Sequence, residues 1–503
     1  MKSIFKEAVG HSVIYGLGIL LNRFVGFLMV PVYTHYLKPS EYGTIDMVVL
    51  TADLLATFFS MQMSGAILRF YYDKESNNDV SKVMGSGFVL SAAASSALLA
   101  VGWLLSPALA IVLLGGSESA GYFRIVFLTT AASGIVEAAL IRYRAAKQPA
   151  RFVAWTLVST TLGLSLNIYL VVFRHLGIYG VLYSGVITQS IMAVMLTVVT
   201  WRSTGFGYDK ALARRMFGYA FPLAFNGLGS FALQFGDRYV LRIFSGLTEI
   251  GIYGLAYKLA LGLGSMLTGP FSTYWATKGF ELHEDGEYGP VKDVFRYFMV
   301  VWCCAGTSLA LFAVDIVKLI AAPEYARAGG MVPVLLLGMF CLAISQFVVQ
   351  VLLNVKRTGL IARNRIIAAV TNVAANFALI PFLGGHGAAI ATALTYLLSA
   401  VLNLVDSNRF VRVGYEWGKV IRMVAMSSAI VWAGGWGLPM VGVDHVAVRV
   451  ALMLLWFPGL VVIGTLTREE AREAVALVGR QIASVRARLG GGRAEADTSA
   501  SES

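Results

Sequence analysis

The sequence predicts an all-α integral membrane protein of about fourteen transmembrane helices, with two six-helix lobes in parallel pseudo-repeat and two C-terminal helices added. Three observations lead there. Of 503 residues, 57% are hydrophobic and 14% charged, too apolar a mixture to cover a soluble surface. Apolar runs of spanning length recur along the chain, and most of the 40 Lys and Arg residues fall in alternate connecting loops. The two halves also match one another at an offset of 208 residues.

A hydrocarbon core of roughly 30 Å needs about 20 apolar residues per helix. Such runs lie near 12–34, 44–66, 83–113, 122–142, 153–173 and 179–200. A second series follows near 217–236, 250–274, 296–314, 331–353, 364–383, 388–405, 421–439 and 448–466. With a cytoplasmic N-terminus, the inside segments hold Lys2 and Lys6, then Arg69, Lys74 and Lys82, then Arg142, Arg144, Lys147 and Arg151, and the pattern continues to Arg409, Arg412, Lys419 and Arg422. The outside loops and rims hold few basic residues, among them Lys38, Arg124, Arg174, Arg238 and Arg242. Short basic loops resist translocation, so both termini are expected in the cytoplasm and the chain in the cytoplasmic (inner) membrane. The first run carries Arg23 at its midpoint and lacks a convincing small-residue cleavage site, so it is expected to remain as an anchor.

The net charge of +12 would suggest nucleic acid on a soluble chain. Here the positive residues line cytoplasmic rims, where orientation and anionic lipid headgroups account for them. Membrane lipids are therefore expected partners and nucleic acid is not. Cys303, Cys304 and Cys341 lie in or beside apolar runs with no CxxC pair and no His at ligand spacing, which reads as apolar packing rather than a disulfide or zinc framework. No GxxxxGK[ST] phosphate loop and no HExxH motif is present, so neither ATP hydrolysis nor a metal or other cofactor is expected.

The 208-residue offset pairs Glu41 with Glu249, Gly43 with Gly251 and Gly177 with Gly385, each at a span boundary. A shift of two more residues brings Lys147 beside Arg357. Chance pairing among 52 glycines is the alternative. Two copies of six spans is the more economical account, and an even number of spans leaves both copies in one orientation. The expected division is 1–205 for the N-terminal lobe, 206–410 for the C-terminal lobe, and 411–466 for spans thirteen and fourteen.

An ionisable side chain at mid-span costs roughly 2.5 to 3.5 kcal/mol on insertion scales and usually faces a partner or a watery cavity. Arg23 is the clearest case. Tyr15, Gly18, Asn22 and Gly26 share a helical face with Arg23 beside them. In the seventh span Asn226, Ser230, Gln234 and Asp237 form a comparable stripe, and the offset lays Asn226 on Gly18, Ser230 on Asn22 and Gln234 on Gly26. The eighth continues with Lys258, Gly262, Ser265, Gly269 and Ser272. Arg and Lys give charge-assisted hydrogen bonds to phosphate, and amides and hydroxyls exchange hydrogen bonds with sugars. A cleft lined by Arg23, Asn22, Lys258, Asn226, Ser230, Gln234 and Arg238 would thus suit an anionic, sugar-bearing headgroup. The alternatives are that Arg23 pairs with Asp53 or Glu137, that Lys258 snorkels, and that the small residues only let helices approach. Asp53, Glu137 and Asp237 are candidates for ion coupling or, equally, counter-ions. Arg238 and Arg242, expected at the outer rim, are candidates for receiving a departing phosphate.

The segments NRFVGFLMVPVYTHYLKPSEYG and GYAFPLAFNGLGSFALQFGDRYVLRIFSGLTEIGIYGLAYKLA resemble the polysaccharide and O-antigen flippases of the multidrug/oligosaccharidyl-lipid/polysaccharide (MOP) exporter superfamily. The resemblance runs over residues 1 to about 466 and is most specific across spans seven and eight. It implies a MATE-like fold, a central cavity open alternately to either side, and a polyprenyl-diphosphate-linked oligosaccharide as cargo for surface polysaccharide such as lipopolysaccharide O-antigen or exopolysaccharide. It also implies that Arg23 and Lys258 are cavity cations, and that a polysaccharide polymerase and chain-length machinery are candidate partners. Protein must solvate such a headgroup for it to cross hydrocarbon, and no covalent chemistry is required.

A cation-coupled multidrug exporter of the same superfamily is the first rival. Those typically have twelve spans and carboxylates for cationic drugs. A membrane glycosyltransferase, ligase or polymerase is the second, disfavoured by short outside loops. The longest inside loop, near 276–295, carries His283, Glu284, Asp285 and Glu287 and reads as a solvated connector. After the last span, Thr467 with Glu470 matches a capping box. Apolar residues at alternating steps of four and three then describe a cytoplasmic amphipathic helix over 467–492, lying on the inner membrane surface, with 493–503 disordered.

Overall fold

The computed structural model describes residues 28–60, 63–73, 79–284, 286, 288–437, 446–470 and 472–473. Most of the first expected span, with Asn22 and Arg23, and the tail beyond 473 lie outside the described residues. Among the described residues all regular structure is helical: after a short helical stretch at 28–36 come α1 (Pro39–Ser60), α2 (Met63–Tyr71), α3 (Val80–Leu109), α4 (Ala120–Ala145), α5 (Pro149–Ile168), α6 (Gly177–Thr204), α7 (Lys210–Phe244), α8 (Gly246–Glu284), α9 (Gly289–Leu311), α10 (Ala313–Ile320), α11 (Ala328–Asn354), α12 (Thr358–Leu383), α13 (Gly385–Phe410), α14 (Trp417–Trp432) and α15 (Val446–Val462). The described residues hold ten helical stretches long and apolar enough to cross a membrane. The seventh, thirteenth and fourteenth expected spans are α7, α14 and α15. Apolar side chains such as Phe382 (85% exposed) and Leu104 (78%) point outward, the arrangement acyl chains require of a multi-pass membrane protein.

Local chemistry sets the helix ends. The Asp209 carboxylate accepts from the Ala211 and Leu212 N–H groups at 2.9 and 3.0 Å and starts α7. Pro149 opens α5 where no N–H is needed. The expected loop at 276–295 is mostly helix instead, because α8 continues to Glu284. A Lys278–Glu281 pair at 2.8 Å supports that extension in spite of Gly279.

Contacts divide the chain into two compact units, one taking in α1–α8 and α10–α13, the other α9, α14 and α15. In the first unit α1 crosses α8 where neither carries a side chain. A Cβ on Gly43 would lie 2.0 Å from the Leu247 carbonyl oxygen, and one on Gly251 would lie 1.9 Å from that of Pro39. These contacts are reciprocal under the 208-residue offset. It holds for the flanking carboxylates too: Glu249 accepts the Gly385 N–H at 3.0 Å, and Glu41 Oε1 approaches Gly177, its Cβ position 3.8 Å away. At the other ends of the spans Lys147 (φ 54°) and Lys356 (φ 56°) both adopt the left-handed conformation. Each is followed by an N–H closing on the carbonyl five residues back, Gln148 to Tyr143 and Arg357 to Leu352, both at 2.8 Å. By conformation, then, Lys147 corresponds to Lys356, one residue before the Arg357 that the sequence comparison selects. The expected lobes, 1–205 and 206–410, follow sequence relationship, whereas contacts group α9 with α14 and α15.

In the second unit Arg296 of α9 is a hub. It meets Glu470 at 2.5 Å, Asp293 at 3.4 Å and Glu416 at 3.7 Å, while the Tyr297 hydroxyl donates to Glu470 at 2.9 Å. The capping box is present: the Glu470 N–H donates to Thr467 Oγ1 at 3.1 Å and the Thr467 N–H donates to Glu470 at 2.8 Å. Burial works against ionised Glu470, but the Thr467 N–H, the Tyr297 hydroxyl and Arg296 hold its carboxyl below the ordinary glutamate value. The Lys419 hydrogen bond, at 2.8 Å, does the same for Glu416.

Candidate functional site

Four charged residues of the first unit come together where α7 and α8 pass α1. Asp237 and Arg238 are adjacent on α7 and each is only 3% exposed. The Arg238 Nη1 donates to Asp237 Oδ1 at 2.8 Å, and the second Asp237 oxygen accepts from the Tyr253 hydroxyl of α8 and, at 3.5 Å, from Thr392 of α13. The guanidinium lies over the rings of Tyr257 (4.1 Å), Tyr253 (4.9 Å) and Phe235 (5.4 Å), an aromatic cage of the kind that stabilises a desolvated cation. On its other side Arg238 Nε faces Asp46 of α1 at 3.6 Å.

One turn before Asp46 is the Gly43 crossing, and the approach also brings the Gly254 Cβ position to 3.4 Å from Asp46 Oδ2. Lys258 of α8 is half-buried, with its ammonium 5.8 Å from the centre of the Tyr33 ring, and lies one turn beyond the Gly254 that stands beside Asp46. Asn167 of α5 anchors Tyr33 by donating to its hydroxyl at 2.8 Å and is itself tied to Ser184 of α6 at 2.9 Å. Two acids and two bases from three helices thus form a neutral set.

Beside this set the 28–37 segment meets the connection between α10 and α11. Thr34 donates to the Ile320 carbonyl at 2.9 Å, and Tyr325 donates to that of Leu37 at 3.0 Å. Arg327 meets Glu249 at 3.1 Å. The Thr34 and Tyr325 bonds join the end of the first expected span to the second half of the chain.

The sequence-selected residues divide accordingly. Asp237, Arg238 and Lys258 come together with Asp46. Arg238 is a correction in placement: it lies inside the protein, ion-paired and caged, rather than on a rim. Arg242 is committed as well, donating from Nε to the Leu113 carbonyl at the end of a π-turn. Ser230 accepts from Arg365 of α12 at 3.3 Å. Gln234 is half-buried on α7, one turn before Arg238, whose Nη1 donates to its carbonyl at 3.3 Å. Glu137 accepts from Ser64 at 2.7 Å, and Asp53 is exposed on α1. Asn226 lies on α7, with its side chain outside the described residues. Gly262 and Gly269 meet no described atom within 4 Å of a Cβ position, so their face of α8 is not a close helix contact among the described residues. Asp46, Asn167 and Arg365 were missed. The first two carried the signal used elsewhere, a polar group within an apolar run, while Arg365 was absorbed into a basic loop.

A helical membrane protein with this arrangement has the fold of the MOP-superfamily transporters. The solved structure titled lipid II flippase MurJ, inward closed conformation, superposes with a TM-score of 0.73 over 90% of this chain and 98% of that one, at 12% identity. An inward-facing MATE-family multidrug transporter of the MOP superfamily gives 0.63 over 79% and 97%, also at 12% identity. The chain belongs to the polysaccharide biosynthesis protein family, whose model matches residues 10–275. A curated relative, the probable low-salt glycan biosynthesis flippase Agl15 of Haloferax volcanii, is 21% identical over 215 residues, covering 41% of this chain and 45% of that protein. The match therefore spans under half the length of that relative.

Proposed function

We propose that this protein is a flippase that carries a polyprenyl-diphosphate-linked oligosaccharide across the cytoplasmic membrane for surface polysaccharide assembly. The observation that carries the reading is Lys258. It lies about 18 Å along α8 from Gly246, too far in to snorkel readily, and makes no ion pair within 4 Å among the described residues. An ammonium at that depth whose charge is balanced only at a distance, with no carboxylate in ion-pair contact, is available to an anion in transit. Family membership and the glycan flippase relative support a lipid-linked sugar as the cargo bearing it.

In this reading two like-oriented lobes, 1–205 and 206–410, rock about the Gly43–Gly251 crossing, and both termini face the cytoplasm. Arg23, Asn22, Lys258, Asn226, Ser230 and Gln234 line the passage. Arg238 is held by Asp237 and orients the cationic wall. Asp53, Glu137 and Asp237 are the carboxylates available for ion coupling. A polysaccharide polymerase and chain-length machinery receive the product, O-antigen or exopolysaccharide.

Deleting the gene in a strain without a redundant flippase should trap a lipid-linked oligosaccharide on the inner leaflet. Complementation with Lys258→Met or Arg23→Ala should restore protein level but not export. Normal surface glycan with no trapped intermediate in the deletion strain would overturn the reading.

A further inference from the structure

We propose that Asp46 is a built-in competitor for the anion site, a carboxylate that balances Arg238 and Lys258 when no cargo is bound and is displaced by a diphosphate. The inference rests on the flippase reading and adds to it a residue that sets how tightly cargo is held.

Arg238 has two acidic neighbours, and they are not alike. Asp237 is 3% exposed, hydrogen-bonded at 2.8 Å, and fixed through its second oxygen by Tyr253 and Thr392. Asp46 is 29% exposed and stands 3.6 Å from Arg238 Nε. Neither Arg238 Nε nor the Asp46 Oδ2 it faces, both buried atoms, has a hydrogen-bond partner among the described residues. A buried guanidinium N–H left unbonded next to a partly exposed carboxylate is a donor held in reserve, since charge-assisted bonds normally close to about 2.8 Å.

The Asp46 contact is therefore the exchangeable one. A diphosphate entering beside α1 can offer one oxygen to Arg238 Nε, which now faces Asp46 at 3.6 Å, and another to Lys258. Exchange keeps both cations compensated when the site is full and when it is empty, which limits the cost of holding uncompensated positive charge among apolar helices. It also favours release, because Asp46 reclaims the cations as the headgroup leaves.

The test is a titration of the full-length purified protein with inorganic pyrophosphate, followed by calorimetry and by thermal stabilisation. Asp46→Asn removes the competing charge at constant shape, and pyrophosphate affinity should rise by about tenfold or more. Asp46→Glu should stay near the wild-type value, and Lys258→Met should lose binding in either background. A folded Asp46→Asn protein with wild-type or weaker affinity would overturn the competitor role while leaving the flippase reading in place. Absence of binding in every folded variant would remove the anion site and both readings with it. Retained binding in Lys258→Met would move the anion elsewhere and also overturn the proposal.

Repeating the titration with geranyl diphosphate in phosphatidylcholine nanodiscs, with and without phosphatidylglycerol, separates cargo from bilayer anion. An affinity gain in Asp46→Asn for the prenyl diphosphate supports the proposal as stated. A gain confined to competition by phosphatidylglycerol supports the exchange but assigns the anion to bilayer lipid.

Discussion

Alanine at position 43 should disrupt the α1–α8 crossing. Its Cβ would sit 2.0 Å from the Leu247 oxygen and 2.9 Å from the Gly251 nitrogen, both backbone atoms, whereas ordinary contact begins at 3.4 Å. No side chain can swing away, so the helices must part by about 1.4 Å, and overpacking of this kind typically costs about 1–3 kcal/mol. Gly251→Ala meets Pro39 at 1.9 Å and should cost the same. Alanine at Gly262 meets nothing among the described residues and should be neutral or stabilising by up to about 1 kcal/mol through helix propensity. Unfolding midpoints of the three purified variants decide the matter. If Gly43→Ala and Gly251→Ala melt with wild type, the close crossing is wrong; if only one of them is destabilised, the reciprocal geometry is wrong.

Arg238→Ala leaves Asp237 buried without its ion-pair partner and should cost about 3–5 kcal/mol in unfolding assays; adding Asp237→Asn should recover part of the loss. Lys356 occupies a left-handed position that glycine fills without strain, so Lys356→Gly should gain about 0.5–1 kcal/mol, measured in the same way. Glu470 and Glu416 have folded values below their ordinary ones, so their clamp on Arg296 is complete above the ordinary glutamate range and is lost as pH falls through the lowered folded values. Hydrogen-exchange protection factors at residues 467–470, with the slower intrinsic exchange at low pH divided out, should fall on acidification, and Glu470→Gln should be poorly protected at neutral pH as well.

Spans and repeat were legible because the bilayer writes them into the chain. Every described expected run from 44–66 onward falls on a helix, since backbone groups in hydrocarbon have only each other to bond. The offset pairs Glu41/Glu249 and Gly43/Gly251 were informative because a close backbone crossing tolerates no Cβ and therefore constrains both copies. The site was harder to read. Arg238 sits four residues from Arg242 and both look like rim residues in sequence, but one enters an aromatic cage and the other bonds a carbonyl of a π-turn, neither of which periodicity encodes. Arg365 was hidden for a related reason: a basic residue near a helix start reads as a loop charge until the opposing helix supplies Ser230.

The crossing and the charge set are coupled through α1. Asp46 lies one turn beyond Gly43, and Gly254 one turn beyond Gly251, so the separation fixed at the glycine pair also sets how far the carboxylate stands from α8. At the present spacing the Gly254 Cβ position is in ordinary contact with Asp46, while Arg238 remains 3.6 Å away, beyond hydrogen-bond closure. A rocking motion about the glycine pair would change that separation first, closing the Asp46–Arg238 contact in one direction and opening it in the other. The affinity of the cationic wall for an anion would then vary with lobe angle, with no titration and no second ligand required. Gly43→Ala gives the independent check. Its methyl must part α1 from α8 and so loosen the Asp46–Arg238 contact, and the folded variant should bind pyrophosphate more tightly than wild type; unchanged affinity would separate the crossing from the site.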